Sequence, residues 1–135
     1  MADPAVVTAL LLQQCESLVI SSPAMPIAYP DVAFSPPADG KYLRVELFKN
    51  APFWEGLASG RIDQGLLQIM VVWPRNRGII KPAEVAALVE EHFKKGTRMT
   101  GSGVTVKVNR EPYSSSPITS PDKSETPVTI PWIAV

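Results

Sequence analysis

The stretch YPDVAFSPPADGKYLRVELF, residues 29–48, decides the fold of this chain. Its first half carries Pro30, Pro36 and Pro37, and each proline removes a backbone donor and blocks a helix. From Lys41 the pattern changes. Leu43, Val45 and Leu47 point one way, while Tyr42, Arg44, Glu46 and Phe48 point the other. That is the period of two of a strand with one apolar face. An extended, non-helical lead-in therefore runs straight into a strand at residues 41–50.

Toward the N-terminus the lead-in extends back through Pro26 and Pro23. Met25, Ile27, Tyr29, Val32 and Phe34 are interleaved with these prolines, and a disordered linker would lack such residues. Residues 21–40 are expected to form a strap across the surface, with Phe34 docked. Before it, Asp3 and Pro4 supply an N-cap and a first-turn proline. Val7, Leu11, Cys15 and Leu18 recur at helical spacing, so residues 1–20 read as one amphipathic helix on a core.

Toward the C-terminus, residues 62–73 form a second, more apolar strand. Leu67, Ile69, Val71 and Trp73 lie on one face, and Leu66, Met70 and Val72 on the other, beside Gln68. Such a strand needs cover on both faces, from helices on one and from the strap or a partner on the other. The intervening residues 51–61 read as a loop longer than the about two to five residues usual in hairpins. After a turn containing Gly78, Pro82 opens a second helix. Glu84 supplies early-turn charge, Val85, Leu88, Val89 and Phe93 form a buried stripe, and Lys94, Lys95 and Gly96 close it. Val104, Val106 and Val108 mark a third strand, residues 114–127 a Ser/Pro-rich loop, and residues 128–135 a fourth strand. Pro131 in that strand argues for an edge position or a bulge. This order predicts an α+β fold, a four-stranded, mainly antiparallel sheet with both helices packed on one face. A single domain over residues 1–135 is expected, made of helix (1–20), strap (21–40), and sheet with the second helix (41–135).

A chain of 135 residues is long enough for a core without disulfides. Lys+Arg and Asp+Glu number 13 each, so the net charge is zero, and the basic excess of a free nucleic-acid binder is missing. Low charge also protects poorly against self-association, which fits a subunit of a larger assembly. One cysteine, Cys15, excludes an internal disulfide framework and a Cys-rich zinc site. No apolar run reaches the roughly 18–20 residues that span a bilayer. The acidic start Met1-Ala2-Asp3-Pro4 does not read as a signal peptide, so synthesis in a cytosol is expected.

No residue pattern here carries catalysis. His92 is the only histidine and lies near a helix C-terminus, and no thiol-enzyme signature surrounds Cys15. Asp31, Asp39 and Asp63 sit in or beside turns, where aspartate hydrogen-bonds locally. Gly101-Ser102-Gly103 follows a helix and opens a strand, the reverse of the order in dinucleotide sites. No enzyme activity, cofactor or metal is expected. The functional candidates are surfaces instead. Phe53 and Trp54, with Glu55, Leu57 and Arg61, lie in the predicted loop, and aromatics on loops mark contact surfaces. Arg75, Arg77 and Lys81 follow the second strand, where arginines suit subunit contacts and, with Lys81, a basic collar around passing DNA.

The opening stretch resembles the bacteriophage tail terminator-like family, whose members begin with a similar "YP-D/N-V-x-F-x-P-P…G-x-Y-L/V-R-V" pattern. The strand at residues 64–73, the helix ending in Phe93-Lys94-Lys95-Gly96 and the closing Pro127-Val128-Thr129-Ile130-Pro131 fit the same pattern. The resemblance implies a structural virion protein, a ring typically of six copies at the head-proximal end of a phage tail. Such a ring caps the tail tube, stops its polymerisation and offers the surface that joins tail to head. The implied partners are further copies of the chain, the tail tube protein and a head–tail connector or neck protein. Non-specific contact with passing DNA is implied, and no membrane is. The implied location is the virion tail, after assembly in the host cytoplasm. A neighbouring neck or adaptor role belongs to the same class. The alternative is a small cellular α+β domain that binds a ligand or nucleic acid on its sheet, with Tyr42 and Phe48 stacking on bases.

Overall fold

The computed structural model describes residues 3–20, 24–54 and 61–134, and for Phe53, Trp54 and Arg61 the backbone alone. The elements in chain order are α1 (Pro4–Glu16), β1 (Ile27–Ala28), β2 (Tyr42–Trp54), β3 (Arg61–Pro74), α2 (Ile80–His92) and β4 (Arg98–Gly101). Then come β5 (Val104–Val108), β6 (Tyr113–Ser114), β7 (Ile118–Thr119) and β8 (Lys123–Ala134).

The α+β class holds, but the sheet is larger than a four-stranded antiparallel one. Eight strands run in the order β1-β2-β3-β8-β5-β4, with β6 and β7 also paired to β8. β1 is parallel to β2, so the sheet is mixed. The strands that periodicity missed are short. β1, β6 and β7 have two residues each and β4 has four, too few to show a clear period of two. The Ser/Pro-rich segment is therefore not a plain loop, because Tyr113–Ser114, Ile118–Thr119 and the start of β8 all lie on the sheet.

β8 corrects a second expectation. It pairs along its length with β3 and on its other side with β5, β6 and β7, so it is an interior strand. Pro131 is accommodated differently. It sits opposite Leu66 on β3, and on the other side it falls between the last β5 pairing, at Trp132, and the first β6 pairing, at Thr129. The row of strands beside β8 is broken where the proline is.

One face of the sheet carries the core. Val45, Ile69 and Val128 lie side by side across β2, β3 and β8, as do Leu47, Leu67 and Ile130. Both helices add to the same core, α1 through Val7, Leu10, Leu11 and Cys15, and α2 through Val85, Ala86, Val89 and Phe93. Asp3 caps α1 by accepting from the Ala5 N–H at 2.9 Å, as the sequence suggests. The helix ends at Glu16, short of residue 20. Ser17 turns its hydroxyl onto the Gln14 carbonyl at 2.7 Å, and Leu18 and Ile20 enter the core from non-helical chain. In α2, Leu88 is exposed, not part of the stripe. Glu84 lies past the first turn and pairs with Lys81 at 3.5 Å.

Gly65 has a packing reason. A Cβ there would lie 2.3 Å from the Phe48 carbonyl oxygen and 2.6 Å from the Trp132 ring. Only glycine lets the indole of Trp132, opposite on β8, lie against this strand. The turn between β4 and β5 also needs its residues. Ser102 and Gly103 have φ of 49° and 76°, the paired positive values of a tight two-residue hairpin.

Candidate functional site

The strap forms the outer wall of the site. Phe34 docks on Tyr42 with ring centroids 5.0 Å apart, as expected from the sequence. The strap also contributes β1, with Ile27 and Ala28 in register with Leu43 and Arg44. The chain then turns away from β2 at Asp31, which has φ 55°. An open groove results, lined by Tyr29, Asp31, Val32, Glu46 and Phe48 among others. Val32 and Phe48 are exposed at 60% and 45%.

On the same sheet face, Arg44 organises the charges. Its Nη1 and Nη2 donate to the two carboxylate oxygens of Glu125 at 2.7 and 3.1 Å, and its Nε donates to Glu46 at 3.1 Å. β2 and β8 are not neighbours, so this fork crosses over β3. Lys123 approaches the same carboxylate at 3.4 Å. The hydrogen bonds from Arg44 hold the Glu125 carboxyl below the ordinary range, against the upward push of burial. The same bonds raise the guanidinium of Arg44.

The predicted contact loop is largely strand. β2 runs on to Trp54 and β3 begins at Arg61, with Phe53 paired to Ile62 and Trp54 to Arg61. The pairing shifts between Asn50 and Phe53, where Pro52 lies. A proline interrupts alternation and is tolerated at such an irregularity on an outer strand, which is why the segment reads as loop. Glu55 and Leu57 lie outside the described residues.

The basic candidates separate. Arg75 donates from Nη1 to the Ser120 carbonyl at 3.1 Å and so ties the β3 end to the β7–β8 turn. Arg77 and Lys81 line one depression with Lys41, Asp39 and Trp73. The Lys41 ammonium sits 4.6 Å above the Trp73 ring, a cation–π distance. Lys41 was missed as a member, because only the positive φ of Gly40 and the turn before β2 bring it round to the β3 end. Arg77 has no ion-pair partner among the described residues. Ile79 and Ile80, exposed at 68% and 72%, adjoin these cations in the chain.

The reactive residue types are occupied structurally. Cys15 is buried, and burial, with the nearby charge of Glu16, pushes its thiol up to about 12. His92 places Nε2 2.8 Å from the Gln14 carbonyl oxygen and 2.9 Å from the Ser17 hydroxyl, joining α2 to the end of α1. Among the described residues no group of three or more His, Cys, Asp or Glu could hold a metal ion. No helix among them is long and apolar enough to cross a membrane.

A family model described as phage tail terminator protein matches residues 6–132. A solved structure superimposes with a TM-score of 0.75 at 25% sequence identity, over 95% of this chain and 95% of the other. No curated protein matches the chain.

Proposed function

The chain belongs to the phage tail terminator family, a structural, non-enzymatic family of phage tails, and from that premise we propose that it closes into a ring of six copies that caps the tail tube. The family match over nearly the whole chain is the observation that carries this reading. The ring stops addition of tube subunits because its two faces differ. One mimics the surface on which tube subunits stack, and the other meets the head connector or neck protein. The whole chain acts as one unit, at the head-proximal end of the tail, after assembly in the host cytoplasm.

Such a role needs a shape that repeats and closes, and no reactive side chain. Identical copies meeting head-to-tail close into a ring when the rotation between them closes. Phe53, Trp54, Glu55, Leu57 and Arg61, together with the β3–α2 turn that carries Arg75 and Arg77, are the proposed contacts with neighbours and tube. Arg77 and Lys81, joined by Lys41 and flanked by Arg75, face the DNA path. A neutral chain can still form a basic collar, since the ring repeats each cation once per copy.

Native mass spectrometry and negative-stain imaging of the purified chain test this reading. A closed ring is expected. A chain that stays solitary at high concentration and within purified virions refutes it.

A further inference from the structure

Among the described residues the sheet ends in two unpaired edges. β1 covers β2 only at Leu43 and Arg44, and from Val45 onward no strand among the described residues pairs with that side of β2. At the other end β4 pairs with β5 alone. Between β2 and β4 lie antiparallel steps through β3, β8 and β5. Each step reverses direction, so β4 runs the same way as β2, and β1 does too.

We propose that β4 of one copy docks, parallel, on the β2 edge of the next copy, along residues 45–48 and in line with β1. This rests on the ring reading and names the two surfaces that close the ring. A cyclic axis repeats one sheet after another without inverting it, so the joined strands must run the same way, and these do. Head-to-tail contact also needs two different surfaces, and the edges lie at opposite ends of the sheet.

Size and charge fit. Four residues of β4 extend about 13 Å at the strand rise, the length of residues 45–48, the part of the open edge that lines the groove. Arg98 and Thr100 are exposed while Met99 points into the core, so β4 joins β2 with its apolar face continuing the neighbour's. Arg98, Lys95 and Lys107 have no ion-pair partner among the described residues, and Arg98 and Lys107 are in register. The groove offers Asp31 and Glu46, while its own cation, Arg44, is held by Glu46 and Glu125. A long, open strand edge is also a liability in a solitary chain, and strand addition from a neighbour removes it.

Cross-linking tests the contact. Chains carrying Phe48→Cys with either Arg98→Cys or Thr100→Cys place both thiols on the same sheet face, at strand spacing, where a disulfide can close. Cys15 is buried, so the introduced thiols are the ones that react. Mild oxidation of the assembled ring should give a ladder of covalent multimers on a non-reducing gel, and Phe48→Cys with Ala87→Cys should not. In the unmodified chain, the amides of Val45, Leu47, Arg98 and Thr100, which alternate onto the open edges, should exchange about tenfold more slowly in the ring than in the monomer. A ring by native mass spectrometry with no ladder from either pair and no such protection overturns the docking and leaves the ring reading standing. An equal ladder from the Ala87→Cys control also overturns it. A solitary chain by native mass spectrometry overturns both.

Discussion

Arg44 and Glu125 are joined across an intervening strand: two guanidinium nitrogens of Arg44 on β2 meet both carboxylate oxygens of Glu125 on β8, over β3. Such a bidentate pair is stronger and more directional than a single ion contact. It staples three strands on the face opposite the core, beside the groove that holds the open edge. Replacing Arg44 with Met leaves a partly buried carboxylate short of its main partner. Loss of about 1–3 kcal/mol in urea unfolding is expected. Arg44→Lys should recover only part of it, since an ammonium cannot reproduce the fork. No change for Arg44→Met would remove the staple from the account.

The same pair sets an acid limb. The folded value of Glu125 lies below its unfolded value because Arg44 hydrogen-bonds its carboxylate. The resulting stability is fully present above the ordinary glutamate range and is lost as pH falls through the lowered folded value. Unfolding measured from neutral pH down into the acid range should show this loss, and Arg44→Met should flatten it. An unaltered acid limb in that variant would contradict the assignment.

Gly65→Ala should destabilise the chain by about 3 kcal/mol, the upper part of the overpacking range. The obstacle at 2.3 Å is the Phe48 carbonyl, a backbone atom that cannot rotate away, with the Trp132 ring at 2.6 Å behind it. Thermal unfolding reads this directly, and a variant as stable as the parent would mean that the strands separate freely at this point.

Cys15 should be inert to a thiol reagent at pH 8 while the chain is folded and react at once in denaturant. Its thiol is buried and pushed up to about 12, against about 8.5 for a free one. Rapid labelling of the native protein would place the N-terminal helix off the core.

Arg77 and Lys81 carry the proposed DNA contact. Assembled rings should associate with duplex DNA in a salt-dependent way, as phosphate contacts require. The pair Lys41→Ser and Lys81→Ser, which spares the proposed subunit contacts, should assemble normally and lose most of that association. Retained binding by the double variant would move the DNA path elsewhere on the ring.

Much of the fold is legible in the chain because periodicity reports burial. Leu43, Val45 and Leu47 alternate because one face of β2 lines the core, and the structure keeps that phase. The Asp3 cap and the docking of Phe34 on Tyr42 are equally local and equally readable. What stayed hidden depends on distant pairing. Ile27 and Ala28 become a strand only because β2 offers an edge, and β6 and β7 only because β8 lies beside them. Pro52 and Pro131 read as interruptions, yet one sits at a pairing shift and the other beside a break in the neighbouring row. Of the candidate site, the basic turn was legible as a charge cluster. Its third cation, Lys41, comes from another strand end that no spacing in the sequence connects to it.

Tail length in phage lacking this chain tests the central claim most directly. If the chain closes a ring that ends tube growth, electron micrographs of such lysates will show tails of uncontrolled length that fail to join heads. Tails of normal, uniform length in its absence would contradict the account.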